Sequence, residues 1–387
     1  MREIPLMAAG FGCRRNMGQG GRVLPSCLVD PPPGFCETTP GANTPQEREE
    51  AMTRIAINGF GRIGRCVLRA LQNTKDHGFD VVAINDLTDA HTLGHLFKYD
   101  SIHGRFSGQV EVGESSITVN GDKIQIVAQP DPAKLPWGDL GADIVLECSG
   151  RFTDGDKARA HITAGAKRVV ISAPAKGNVD GTFCFGVNHE SYDPSKHFVV
   201  SNASCTTNCL APVAKVLNDS FGIEHGLMTT IHAITNDQRI LDLPHSDLRR
   251  ARAAGESMIP TTTGAAKAVG LVLPALNGRL DGAAIRVPTP NVSCVDLTFT
   301  PSRKTSVDEV NEAARAAAFG AMAGVLDYDT DPTVSVDYNH STAASTFAAP
   351  QTRVMDGDLV RVLAWYDNEW GFTNQMLKAA LVVGGTI

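Results

Sequence analysis

Asn58-Gly59-Phe60-Gly61-Arg62-Ile63-Gly64 decides how the first half of the chain is read. GxGxxG spacing alone is a weak signal, because most glycine-rich turns are only turns. Here the neighbours give it meaning. Arg54 to Ile57 reads as a short strand, and Gly64 to Gln72 carries a helical apolar pattern. Asp80 to Asn85 is a second strand, and Asp86 follows it, 22 residues beyond Gly64. In this order each glycine has a physical task. Gly59 permits the tight turn, Gly61 lets backbone approach a pyrophosphate, and Gly64 lets helix pack on strand, with the helix start facing the anion. Asp86 would accept hydrogen bonds from ribose hydroxyls and repel a 2′-phosphate, which favours NAD over NADP. The bland alternative is that Asp86 only caps a loop.

Outward from this turn, strands and helices alternate. Ile117 to Val119 and Ile124 to Val127 read as a hairpin about Asn120-Gly121. Asp143 to Cys148 and Arg168 to Ile171 are strands, with a helix predicted over Ala158 to Ala166. Such alternation predicts an α/β fold with a doubly wound parallel sheet over 52–204. Beyond it, strand-like runs at Leu227 to Ile231, Gly282 to Val287, Val292 to Phe299 and Leu359 to Trp365 are not spaced as βαβ units. With helices at Thr206 to Ser220 and Val307 to Gly320, they predict an α+β domain over 205–368, its sheet mixed or antiparallel and its helices on one face. A last helix within 369–387 is expected to join the first domain.

The chain has 387 residues, 42% hydrophobic and 20% charged, with a net charge of −7. These values predict a folded protein of two or three domains and argue against a nucleic-acid binder held by bulk charge. No apolar run approaches the ~18–20 residues of a membrane span. Nine cysteines without a CxxC pair suggest neither a disulfide framework nor zinc, so no metal is expected and a reducing compartment is. Residues 1–51 differ: seven Gly, seven Pro, no sustained period, and six acidic residues against five Arg. We read Met52 as the biological start and the tail as upstream sequence. A disordered tail ranks second and a targeting peptide third.

The chemistry-bearing segment is Ser201-Asn202-Ala203-Ser204-Cys205-Thr206-Thr207-Asn208-Cys209. Leu210, Val213, Ala214 and Leu217 then form one apolar helix face, and Ser204 is a natural N-cap. Pro212 fits only near that helix's start. Cys205 thus falls in the first turn, where free N–H groups and the helix dipole favour a thiolate. Cys209, one turn on, is expected in the core. A buried structural cysteine remains the alternative for Cys205. Among eleven histidines, His232 ends a strand and is the favoured base; His95 and His161 lie on expected helices and His245 in a polar loop. Thr235, Arg249, Arg250, Arg252, Thr261, Thr262, Thr263, Gly264 and Arg286 gather in the second half. Beside a reactive thiol they suggest a small phosphorylated substrate.

SNASCTTNC, with INGFGRIGR, KYDSIHGRF, ISAPAKG, IPTTTGAAKAVG, RVPTPNVSCVDLT and WYDNEWGF, resembles phosphorylating glyceraldehyde-3-phosphate dehydrogenase of the bacterial and organellar type, from Thr53 to about Leu381. The resemblance implies that Cys205 is the nucleophile and His232 its base. It implies that Thr235 and Arg286 hold the substrate's phosphate, and that Ser204, Thr206, Arg250, Thr263 and Gly264 serve the attacking phosphate and aldehyde. Arg62, Ile63, Asp86, Ser172 and Asn368 match contacts to NAD. It further implies a cytoplasmic homotetramer with an interface loop at about 236–259, and no membrane or nucleic-acid partner. Phe372 stands where many members carry Tyr, and Pro130 where many have Arg. Two alternatives stay open: an erythrose-4-phosphate dehydrogenase, which hydrolyses its thioester, and a catalytically silent binding protein on the same scaffold. Removing residues 1–51 is expected to leave melting temperature and kinetics unchanged; a clear drop in either on truncation would refute the reading of the tail.

Overall fold

The computed structural model describes residues 52–385, so the expectation for residues 1–51 lies outside the described residues. The first sheet has nine strands. They are β1 (Thr53–Asn58), β2 (Phe79–Asn85), β3 (Val110–Val112), β4 (Ser116–Val119), β5 (Asp122–Val127), β6 (Ile144–Glu147), β7 (Arg168–Ile171), β8 (Gly181–Thr182) and β9 (Val199–Ser201). Their order is β8-β9-β7-β6-β1-β2-β5-β4-β3. All neighbours are parallel except β5-β4 and β4-β3, the expected hairpin and its extension. β1 and β6 are buried along nearly their whole length, which is what a strand covered on both faces requires.

The second sheet is mixed. Its strands are β10 (Ile223–His232), β11 (Ile259–Thr262), β12 (Leu280–Arg286), β13 (Ser293–Pro301), β14 (Leu326–Asp329), β15 (Ser345–Ala348), β16 (Arg353–Met355) and β17 (Leu359–Tyr366). The order is β11-β12-β10-β13-β17-β15-β14, with β16 also on β17. Three helices form one core with this sheet: α5 (Cys205–Phe221), α6 (Ala265–Val272) and α7 (Val307–Ala318). The last helix, α8 (Trp370–Gly384), touches α5 but buries its apolar residues elsewhere. Trp370, Phe372, Met376 and Ala380 join Ile55, Ile57 and Leu68 in the core of the first sheet, and α8 lies on α1 (Arg62–Asn73). Phe372 is 4% exposed in that apolar cluster, where a tyrosine hydroxyl would need a partner.

Two expectations fail. The single helix over Ala158 to Ala166 is two one-turn pieces, Gly155–Ala158 and Ala160–Thr163. Gly165, at φ +105°, closes the segment against Gly138, where an added Cβ would stand 2.5 Å from the Gly138 Cα. That approach needs a left-handed glycine, which no helix through Ala166 allows. Pro212 lies two turns inside α5 rather than near its start. The helix runs on because Leu210, Ala211, Val213 and Ala214 around the ring are all buried, and that packing outweighs one missing hydrogen bond.

Beneath the glycine turn lies a buried polar knot. The Glu147 carboxylate accepts from the Asn58 amide and from the Ser149 backbone and hydroxyl. His161 Nε2 stands 3.1 Å from Glu147 Oε2, and both side chains are fully buried. Trp137 Nε1 donates to His161 Nδ1 at 3.0 Å, so the proton of the neutral imidazole sits on Nε2 and points at the carboxylate. Asn85 closes the knot by donating to Asn58 Oδ1 at 2.7 Å. His161→Phe keeps the volume but leaves Glu147 short of a donor and the Trp137 indole N–H unpaired. We expect a loss of about 2–4 kcal/mol in urea unfolding; a loss below about 0.5 kcal/mol would mean the knot is replaceable by packing.

Candidate active site

The glycine turn is built as its spacing requires. Gly59 has φ +93°, and a Cβ there would lie 2.5 Å from Ser149 backbone. At Gly64 it would meet Gly59 O at 2.2 Å. At Gly61 it would meet nothing within 4 Å, so the space the turn keeps open lies over Gly61. Gly61 is the N-cap of α1 and makes no side-chain cap, which leaves the first-turn N–H groups for an anion. The arrangement therefore fits a pyrophosphate. Asp86 Oδ2 accepts from Phe60 N at 2.8 Å and Oδ1 from Thr88 N at 3.0 Å. The carboxylate thus caps the turn, as the bland reading has it, and still has lone pairs at the end of β2. Arg62 offers only backbone here, since its guanidinium is held by Glu369 and Asp100. Ile63 is the next first-turn residue, and Ser172 N donates to Glu147 O at the end of β7.

The thiol sits at a second strand-to-helix turn. β9 ends at Ser201, and Ala203 takes φ +57° while buried, a costly conformation for a residue with a Cβ. Asn208 Nδ2 pins the turn by donating to Asn202 O at 2.7 Å and Ser204 O at 3.0 Å. Ser204 is the N-cap, its Oγ accepting from Thr207 N at 2.9 Å. Cys205 is then the first residue of α5.

His232 ends β10, and the parallel register with β12 sets it opposite Arg286. Cys205 Sγ and His232 Nε2 stand 3.5 Å apart. His232 Nδ1 lies 2.7 Å from Ala233 O and 2.7 Å from the Arg286 guanidinium. A guanidinium cannot accept, and it also reaches Ala233 O at 3.2 Å. The Arg286 and Ala233 contacts at Nδ1 thus favour opposite tautomers; with the proton on Nδ1, donating to that carbonyl, Nε2 is free to take the thiol proton. His95 instead packs at a tilt against Tyr99, His161 belongs to the knot, and His245 bonds within its own loop. Cys209 is buried, with Sγ 3.3 Å from Ser345 Oγ.

Burial holds the His232 imidazole down to about 3, with the Arg286 charge acting the same way and the Ala233 hydrogen bond against both. Burial also pushes the Cys205 thiol up, opposed by Arg286 and the Thr206 hydroxyl. The sequence predicts a thiolate favoured by the helix start. Desolvation opposes that field and pushes both groups toward their neutral forms.

The remaining residues divide. Gly264 is the uncapped N-cap of α6 with open space where a Cβ would be, and Thr263 Oγ1 accepts from Ala265 N. This second bare helix start fits an anion. Thr235 N donates to Gln238 Oε1 at 3.1 Å. Arg250 is already engaged, by Asp237 at 2.7 Å and Thr261 at 2.9 Å. The Thr206 hydroxyl is buried on Tyr366 Oη at 2.8 Å, and Tyr366 also bonds Thr230 and sets its ring edge-on to His232. Asn368 Oδ1 accepts from Ser293 Oγ, which itself accepts from Ala233 N, so Asn368 offers its amide nitrogen and shares one hydroxyl with the His232 strand end. Tyr366 and Ser293 lie within WYDNEWGF and RVPTPNVSCVDLT, but nothing in those stretches names the hydrogen-bond partners they take here.

A thiol raised by burial reacts faster as pH rises, because only the thiolate is alkylated. Iodoacetamide modification of Cys205 should therefore accelerate through and beyond the ordinary thiol range. Arg286→Leu should slow it at pH 8, and Cys209→Ser should leave it unchanged. A faster rate in Arg286→Leu would contradict the electrostatics described here.

Residues 53–155 match the family model for the NAD binding domain of glyceraldehyde 3-phosphate dehydrogenase, and residues 204–368 match that for its C-terminal domain. Glyceraldehyde-3-phosphate dehydrogenase 1 of Bacillus cereus is 58% identical over 329 residues, covering 85% of this chain and 98% of that protein. The enzyme of Xanthobacter flavus is 60% identical over 331 residues, 86% and 98% of the two chains. That of Geobacillus stearothermophilus is 58% identical over 330 residues, 85% and 98%. The chain belongs to the glyceraldehyde-3-phosphate dehydrogenase family.

Proposed function

We infer that this protein oxidises D-glyceraldehyde 3-phosphate with NAD and inorganic phosphate to 1,3-bisphosphoglycerate. The observation that carries the reading is the Cys205 Sγ–His232 Nε2 contact of 3.5 Å at a helix start, with Arg286 against the same imidazole. His232 Nε2 takes the thiol proton, and Cys205 Sγ adds to the aldehyde carbon to give a thiohemiacetal. The first-turn N–H of Cys205 and the resulting imidazolium face the oxyanion. Bound NAD supplies the hydride acceptor for the oxidation. His232 holds the hydroxyl proton as the carbon becomes a thioester on Cys205. Inorganic phosphate then displaces Cys205 as thiolate, forming the acyl phosphate.

Arg286 gives this sequence a built-in order. Its charge disfavours the His232 imidazolium. A substrate phosphate on Arg286 and Thr235 offsets that charge and raises His232 basicity once substrate is seated. Thr263 and Gly264 supply the bare helix start for the attacking phosphate, beside Ser204 and Thr206. Arg250 joins them by exchanging Asp237 for the anion. On the cofactor side, Gly59, Gly61 and Gly64 with the N–H groups of Arg62 and Ile63 take the pyrophosphate. Asp86 takes the ribose hydroxyls, and Ser172 and the Asn368 amide line the nicotinamide end.

A homotetramer is supported by the 236–259 loop, where Ile240, Leu241, Leu248 and Met258 are each at least 74% exposed. Gln238 Nε2 in the same loop is buried without a partner. Such a surface is what a second copy would cover. No helix among the described residues is long and apolar enough to cross a membrane, and the cysteine usage supports a reducing, cytoplasmic setting. NAD reduction with glyceraldehyde 3-phosphate is expected to depend on added inorganic phosphate. Cys205→Ser should lose more than about 1,000-fold in turnover while still binding NAD. Phosphate-independent turnover would point to thioester hydrolysis instead.

A further inference from the structure

A chain of buried charged groups runs beneath the proposed cofactor site and takes no part in the chemistry above. Arg62, at the start of α1, donates to both oxygens of Glu369, at 2.8 and 2.5 Å, and to Asp100 at 2.5 Å. Glu369 Oε2 also meets His103 Nε2 at 2.9 Å. His103 Nδ1 meets His340 Nε2 at 2.8 Å. A carboxylate only accepts, so His103 carries a proton on Nε2, and in its neutral form it accepts at Nδ1 from His340 Nε2–H. The donors therefore run one way, from His340 through His103 to Glu369, where they meet Arg62 coming from the glycine turn.

Both ends of this chain touch the proposed NAD-binding elements. Arg62 belongs to the turn itself. Glu369 follows Asn368 directly, and Asp367 ties the same peptide down by accepting from Glu369 N, Trp370 N and His340 N. His340 stacks on Trp370, with ring centroids 4.6 Å apart and planes 8° apart. The His103 side chain is fully buried and the Glu369 side chain 14% exposed. His340 is the most exposed member, lining an open cleft of about 490 Å³ with Asp327, Asp329, Asp337, Tyr328 and Tyr338. The buried Cys66 thiol and Arg69, whose guanidinium donates to His103 O, are further titratable neighbours. Burial and the nearby His103 hold the His340 imidazole below its ordinary range.

We propose that His340, His103 and Glu369 are positioning residues for the cofactor, a donor relay that clamps the glycine turn through Arg62 and orients the peptide bearing Asn368. The proposal rests on the reading of these two segments as the NAD site. The relay sets how tightly NAD is held and leaves the Cys205–His232 chemistry alone.

The full-length protein with His103→Ala, His103→Gln, His340→Asn and Asp86→Asn tests it by NAD calorimetry, steady-state kinetics and amide hydrogen exchange without cofactor. His103→Ala should weaken NAD about tenfold, the worth of one hydrogen bond to a charged group. Its kcat at saturating NAD should stay within about twofold of the unmodified enzyme, and exchange at 61–64 and 367–370 should quicken. His103→Gln can still donate to Glu369 and should recover most of the loss. Unchanged affinity and exchange in His103→Ala, or equal loss in kcat and affinity, would overturn the proposal. Should His103→Ala fold poorly, His340→Asn decides. It lies at φ +69°, where asparagine is well tolerated, and unchanged exchange and affinity there overturn the relay equally. Failure of the underlying site reading looks different: Asp86→Asn would bind NAD as tightly as the unmodified protein, or neither would bind it.

Discussion

A helix that begins only three or four residues beyond a strand's end leaves its first-turn N–H groups pointing into the space beyond the sheet. The structure depends on making that junction tight. At the glycine turn, Gly64 has Gly59 O 2.2 Å from where a Cβ would be, so no other residue lets α1 start so close to β1. At the thiol turn the same tightness is reached with Ala203 in a left-handed conformation, held by Asn208 and Ser201. At α6, Gly264 caps with no side chain. Three bare or nearly bare helix starts thus provide places for a pyrophosphate, a thiolate or oxyanion, and a phosphate, all from one geometric device.

Electrostatics at these junctions is settled by competition with desolvation. The dipole at the start of α5 favours a thiolate, yet burial pushes the Cys205 thiol up and the His232 imidazole down. The proton balance of the pair then rests on Arg286, whose placement follows from one register match between adjacent parallel strands. Arg62 and Arg250 show the opposite arrangement. Each has its charge taken by carboxylates, so neither is a free anion site in the unliganded protein.

Sequence periodicity made β1, β2, the Asn120-Gly121 hairpin, α5 and the long strands of the second sheet legible, because each carries its own apolar pattern. The pairing of Cys205 with His232 was legible as chemistry at two element ends, though only the fold brings them together. The broken helix after Asp154 was not, since the reason for the break is a contact with Gly138 far away in sequence. Tyr366, Ser293 and the Glu147–His161 knot were equally hidden. Their roles are hydrogen bonds across strands, and a tyrosine, serine or glutamate inside a buried run leaves no signature of its partner. Arg62 was legible as a cofactor residue, but its capture by Glu369, some 300 residues later, was not.

The return of α8 to the first sheet has a consequence for biosynthesis. Phe60, Leu68 and Val170 bury themselves partly against Trp370, Met376 and Ala380. The nascent first half is complete in its strands at Ser201, yet this apolar face has no cover until the last turns of the chain leave the ribosome. At 5–20 residues per second that interval is roughly 10–40 s. Through it the growing polypeptide presents an uncovered patch in a crowded compartment, and its fate is governed by chaperone capture and by the speed at which α8 docks.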